Sequence, residues 1–235
     1  MVGKSTGFTF KQFHVQHDRC AMKVGTDGVL LGCWTDVPAS GSVLDIGTGS
    51  GLIALMIAQR TNAQIDAIDI ASDAYEQACI NFAQSPWNER LKAYMTPIQE
   101  WQYEALYDLI ISNPPYFNNS LKNPDKGREL ARHTDSLSYA ELIAHSVRLL
   151  KETGRLSIIL PAEAESEVCS IADAHGLYLS RVTRVYSKEC KPVRRVLLSW
   201  TKQADSIVRE DRLVLENAEG GRSTQYQELA KDFYL

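Results

Sequence analysis

Ser42-Val43-Leu44-Asp45-Ile46-Gly47-Thr48-Gly49-Ser50-Gly51-Leu52-Ile53-Ala54-Leu55-Met56-Ile57-Ala58-Gln59 changes character twice along its length. Its first residues are a short apolar run with β-branched members, which suits a buried strand. Glycines at alternate positions follow, a turn whose backbone can approach a ligand closely. From Leu52 onward the apolar spacing is helical. A strand, a glycine turn and a helix form the first unit of a doubly wound α/β sheet, in which ligands lie beyond the carboxyl ends of the strands.

The same alternation continues outward. Residues 64–70 read as a second strand ending on Asp69, and 72–82 as a helix capped by Ser72. Strands are expected at 91–95, 107–112 and 155–160, with helices at 139–150 and 162–174. Residues 177–186 and 193–201 read as an antiparallel pair joined by a basic turn. A further strand at 212–216, a Gly220-Gly221 turn and a last helix from Ser223 or Thr224 close the chain. This order predicts a Rossmann-like α/β fold, a seven-stranded, mostly parallel sheet with an antiparallel closing hairpin. Ahead of it, 7–15 reads as one strand and 17–27 as a lid or entrance element, with Thr26 or Asp27 capping a helix. The expected division is an extension at 1–36 and a main domain at 37–235.

The fourth strand ends in Ser112-Asn113-Pro114-Pro115-Tyr116. Consecutive prolines forbid both continued pairing and an immediate helix, so the chain stops with Asn113 presented at the strand end. The Asn113 side-chain oxygen and a neighbouring backbone carbonyl are two adjacent acceptors, which suit an NH2 group. Tyr116 offers a flat face for a planar ring. Asp69, at the end of its strand, can accept both hydroxyls of a ribose. Asp66 lies mid-strand on the pleat opposite Ile65 and Ala67 and is expected to face solvent.

At 235 residues and 44% hydrophobic content the chain can bury a full α/β core. Five scattered cysteines without a Cys-x-x-Cys pair argue for reduced thiols and against a disulfide or zinc framework, so no metal is expected. No apolar run reaches membrane-spanning length. A soluble, cytoplasmic protein, a monomer without membrane partners, is the expectation. The formal charge of −4 is uneven, with Lys and Arg concentrated in 1–25, 117–133 and 181–195. Such clusters can contact phosphates even on an acidic protein.

Asn113-Pro114-Pro115-Tyr116 resembles the (Asn/Asp/Ser)-Pro-Pro-(Tyr/Phe) motif of amino-directed, S-adenosylmethionine-dependent methyltransferases of class I. Asp45-x-Gly47-x-Gly49-x-Gly51 resembles their glycine motif. The stretches 7–13, 17–28 and 109–116 and the ending Asp232-Phe233-Tyr234-Leu235 narrow the resemblance, nearly end to end, to bacterial tRNA adenine-N6 methyltransferases. That resemblance implies S-adenosylmethionine as cofactor and a tRNA anticodon loop as partner. The adenosine 3′ to the anticodon of valine tRNA would be methylated on N6. It further implies a catalytic set of Asn113, Pro114, Pro115 and Tyr116. The implied cofactor contacts are Lys23, Thr26, Asp45, Gly47, Gly49, Gly51, Asp69, Ile70, Gln99 and Asn113. Either Gln99 or Glu100 would meet the cofactor adenine. Candidate RNA contacts are Arg132, His133, Lys188, Lys191, Arg194 and Arg195. The alternative is a glutamine methyltransferase, or another nucleic-acid amino methyltransferase, sharing the tetrapeptide.

Overall fold

The computed structural model describes residues 6–20, 22–102, 105–115, 137–204 and 207–234. The expected Rossmann-like architecture is present. Strands β3 (Ser42–Ile46), β4 (Gln64–Asp69), β5 (Leu91–Met95), β6 (Tyr107–Ser112) and β7 (Leu150–Pro161) pair in parallel, in the order β7-β6-β3-β4-β5. β8 (Tyr178–Tyr186) and β9 (Val193–Thr201) form the expected antiparallel hairpin, with β9 inserted between β7 and β8. The further strand, β10 (Arg209–Val214), joins the free edge of β8 in parallel as the eighth member.

Both faces of this sheet are covered, as parallel sheets require. On one face, α1 (Thr26–Trp34), α2 (Leu52–Arg60), α3 (Ser72–Ala83) and α6 (Thr224–Ala230) pack on Val43, Ile65, Ala67, Leu109 and Ile111. On the other, α4 (Tyr139–Leu149) and α5 (Glu165–Ala174) pack on Leu44, Ile46, Ile68 and Ile110. Alternate residues of each strand feed alternate cores. Each fully buried aliphatic side chain contributes roughly 1.5–3 kcal/mol.

Two-sided coverage corrects the reading of Asp66, which has no solvent face to occupy. Its carboxylate is buried and accepts a 2.9 Å hydrogen bond from Tyr107 Oη, which in turn accepts one of 3.2 Å from Trp101 Nε1. Burial raises the Asp66 carboxyl above its ordinary range, and the Tyr107 hydroxyl pulls it back.

Residues 7–15 are a hairpin instead of one strand: β1 (Gly7–Thr9) pairs antiparallel with β2 (His14–Gln16). Strict alternation would place Phe10 and Phe13 on opposite faces. The turn brings both inside, stacked 4.7 Å apart, with the Phe10 N–H donating to the Phe13 carbonyl at 2.8 Å. The hairpin rests on the end of the chain, where the Lys11 N–H donates to the Phe233 carbonyl and Phe10 stacks on Tyr234.

Two expected caps shift by one residue. Gly25 caps α1 and Ala71 caps α3, neither through a side chain.

Candidate active site

The chain runs from β3 through β4 to β5, then crosses back to place β6 on the other side of β3. The carboxyl ends of β3 and β6 therefore flank the point where strand order reverses, the place at which such sheets open a ligand crevice. In register, Ile46 pairs with Ser112, so the next residue on each strand, Gly47 and Asn113, leave the sheet side by side. Ser112 Oγ donates to the Ile46 carbonyl at 2.8 Å and ties the two ends together. Asn113 is half-buried, Pro114 buried and Pro115 exposed. Tyr116, Arg132 and His133 lie outside the described residues.

The glycine turn needs its glycines. Gly47, Gly49 and Gly51 have φ of 71°, 56° and 80°, left-handed values that cost other residues about 1–2 kcal/mol each. A Cβ on Gly47 or Gly49 would meet nothing within 4 Å, so an open cradle lies over these two, whereas Gly51 is closed by Phe82. Asp69 braces the turn from the neighbouring strand. Its Oδ2 accepts the Gly49 N–H at 2.9 Å and its Oδ1 the Ala71 N–H at 3.0 Å. Ile70, next to it, is largely exposed at the rim.

Beneath the turn, Asp45 is fully buried. Thr48 Oγ1 donates to its Oδ2 at 2.6 Å, while Oδ1 has no hydrogen-bond partner. Burial pushes its carboxyl up to about 7, against the pull of the Thr48 hydroxyl. The unfolded chain ionises Asp45 near 3.8, whereas the native state keeps the proton until about 7. Native stability is therefore expected to fall as pH rises between those values and to level off above them. Asp45→Asn should flatten that part of the curve. Urea melts at pH 4 and pH 8 check it, and an unchanged slope would remove Asp45 as the source.

The helix that follows the 17–25 segment lies against the glycine unit. A Cβ on Gly28 would lie 3.0 Å from Leu52 Cδ2, so the first turn of α1 abuts the first turn of α2. Two helix N-termini converge beside the glycine turn, with Lys23 and Thr26 exposed on the approach, an arrangement suited to a carboxylate. Asp27 accepts from Arg195 Nε at 2.9 Å and pins α1 to the start of β9. Arg195 is thus half-buried and ion-paired.

Other expected residues divide similarly. Gln99 Nε2 donates to Glu141 Oε1 at 3.3 Å, and Glu141 forms the capping box of α4 with Ser138. Glu100 instead borders a depression of about 550 Å³ lined also by Tyr75, Met95 and Trp101. Met95 pairs with Asp69, so this depression opens just past the acid. On the basic hairpin, Lys188 pairs with Glu216 at 3.4 Å. Lys191 and Arg194 are exposed and have no ion-pair partner among the described residues.

Sequence reasoning missed Asn81 and Gln77, two buried amides of α3. Their signal was an i, i+4 polar pair running beside the Ala74-Ala78-Phe82 stripe. Among the described residues no His/Cys/Asp/Glu group could hold a metal ion, and no helix is long and apolar enough to cross a membrane.

Comparison with known proteins agrees with this geometry. A family model described as a methyltransferase small domain matches residues 22–175. A protein of Phocaeicola vulgatus named tRNA1(Val) (adenine(37)-N6)-methyltransferase is 49% identical over 97% of both chains. One of the same name from Tolumonas auensis is 45% identical over 97% of this chain and 96% of its own. Among solved structures, a predicted O-methyltransferase of Agrobacterium tumefaciens superposes with a TM-score of 0.64 at 15% identity. It covers 88% of this chain and 96% of that one, a likeness of fold.

Proposed function

The chain belongs to the tRNA1(Val) (adenine(37)-N6)-methyltransferase family, and from that premise we propose that it methylates N6 of the adenosine 3′ to the anticodon of valine tRNA, using S-adenosylmethionine. The observation that carries the reading is the adjacency of Asn113 to the glycine turn at the reversal of strand order.

The residues present fit the cofactor. The open cradle over Gly47 and Gly49 would take its methionine part, and Asp69 would accept from the ribose hydroxyls. Lys23, Thr26 and the N–H groups of two helix starts receive the methionine carboxylate. Ile70 supplies an apolar wall for the adenine. Glu100, which borders the depression past Asp69, is the acceptor we assign to the adenine amine, while Gln99 is turned toward Glu141 through its Nε2. Bound there, S-adenosylmethionine supplies an activated methyl on a sulfonium.

This chain's task is to make a poor nucleophile attack. The adenine amino nitrogen is conjugated with its ring. Accepting its two N–H groups at the Asn113 side chain and the Pro114 carbonyl localises the lone pair toward the donor. The rest is positioning. An adenosine in an anticodon loop is unpaired, so turning it into the recess costs least there. Tyr116 is assigned the stacking role, worth about 1–3 kcal/mol.

The test is incubation of the purified protein with labelled S-adenosylmethionine and unmodified valine tRNA, followed by nucleoside analysis. Label in N6-methyladenosine 3′ to the anticodon is expected. Label retained instead in a glutamine of a protein substrate offered in a parallel incubation, with none in the tRNA, would favour the alternative amino methyltransferase.

The phosphate contacts are narrower than charge clustering alone implies. Reversing Lys191 and Arg194 to Glu should lower the slope of log Kd for tRNA against log salt by roughly 1–2. Arg195→Ala should instead cost stability through Asp27. Filter binding across a salt series checks the first; an unchanged slope would move the docking surface elsewhere.

A further inference from the structure

Asn81 lies in α3, 1% exposed, and joins two segments far apart in sequence. Its Oδ1 accepts the Gln16 N–H at 2.9 Å. Its Nδ2 donates to the Gln16 carbonyl at 2.8 Å and to the Ser50 carbonyl at 2.7 Å. The amide orientation is fixed, because the flipped form would face its oxygen toward two carbonyls. Toward Gln16 the side chain acts as a β-strand partner, and toward Ser50 it holds the glycine turn itself. One helical turn earlier, Gln77 Oε1 accepts the Arg19 N–H at 3.1 Å, and its buried Nε2 has no partner. The two amides grip Gln16 and Arg19, on either side of buried His17. That segment runs directly on to Lys23 and Thr26.

We propose that Asn81 is a positioning residue that locks the N-terminal entrance segment to the cofactor turn, so that cofactor affinity depends on a side chain bonded to the turn's backbone and not to the cofactor. The proposal rests on the S-adenosylmethionine reading above. Neither partner tolerates loss of the amide. The Ser50 carbonyl is buried and the Gln16 carbonyl half-buried, and a carbonyl so placed that loses its donor destabilises the arrangement around it. The entrance segment then moves relative to the glycine turn. Lys23 and the start of α1 move with it, while Asn113, at the end of β6 on the other side of β3, keeps its place.

The effect therefore falls on binding and not on chemistry. Asn81→Ala removes three hydrogen bonds. Asn81→Asp keeps the acceptor for the Gln16 N–H but faces two carbonyls with a carboxylate. Calorimetry with S-adenosylmethionine should show affinity about tenfold weaker for Asn81→Ala, and weaker still for Asn81→Asp. KM for S-adenosylmethionine should rise in step, and kcat at saturating cofactor should stay within about threefold. Amide exchange over residues 14–24 should quicken, with β6 unchanged.

Folded variants with wild-type affinity, or with reduced kcat at unchanged KM, would overturn the proposal. If the Asn81 variants do not accumulate as folded protein, Gln77→Met decides. It removes the Arg19 acceptor together with the orphan donor, and an affinity loss of about threefold or more supports the lock. Unchanged affinity refutes it. The wild-type protein in the same calorimeter separates the two levels. Absence of binding there ends the cofactor reading itself, whereas normal wild-type binding with indifferent variants ends only the lock.

Discussion

Asn113→Ala is expected to lower methyl transfer by on the order of 10²–10³-fold while leaving tRNA affinity within a few-fold of wild type. The strand end that presents Asn113 is held by its neighbours: Ser112 is tied to Ile46, and Pro114 is buried behind it. The variant therefore loses the acceptor without losing the strand end. An adenine could still enter the recess, but one of its N–H groups would go unmatched as positive charge develops on the nitrogen. Since that acceptor matters most in the transition state, kcat should fall far more than KM rises. Asn113→Asp keeps an acceptor at the same place and should retain more activity than the alanine variant. Single-turnover assays with saturating tRNA measure both. Equal rates for wild type and Asn113→Ala would remove the side chain from the reaction.

Asp69→Ala is expected to weaken S-adenosylmethionine binding by about 10–100-fold, the range for losing hydrogen bonds to a charged group. Two losses combine. The ribose hydroxyls lose their carboxylate, and the Gly49 N–H loses the brace that holds the turn open. The Ala71 N–H at the cap of α3 is freed as well, so a modest drop in Tm accompanies the loss of affinity. Asp69→Asn separates the contributions. An amide can still accept one backbone N–H but lacks the charge, so it should fall between wild type and alanine. Asp66→Asn is the control, because Asp66 faces Tyr107 inside the sheet and not the turn. Should Asp66→Asn abolish binding while Asp69→Ala does not, the ribose assignment is reversed.

What the amino-acid order revealed was local chemistry. The glycine turn, the strand that ends on Asp69 and the double proline after Asn113 each carry their meaning within a few neighbouring residues. Structure places all three at the carboxyl ends of the neighbouring strands β4, β3 and β6. The missed features depend on pairs far apart in the chain. Asp66 looked exposed because strand alternation says nothing about whether the second face is covered. The ion pair of Arg195 was invisible because its partner, Asp27, is 168 residues away. Asn81 holds a strand 65 residues earlier. The N-terminal hairpin escaped because two phenylalanines needed the same side, a demand set by Tyr234 and the core and invisible to period-two counting. Gln99 and Glu100 read alike in sequence because their different neighbours, Glu141 for one and the depression beside Met95 for the other, lie on distant segments.

The hairpin's seat on Phe233 and Tyr234 carries a last consequence. Lys11 also reaches the Lys231 carbonyl at 2.6 Å, and Tyr234 takes the Arg222 guanidinium 3.8 Å above its ring. The N-terminal hairpin and residues 222–234 thus make up a single cooperative patch, and local opening of one is felt at the other. A ligand that quiets the opening residues would, by reciprocity, also slow the unravelling of the closing ones.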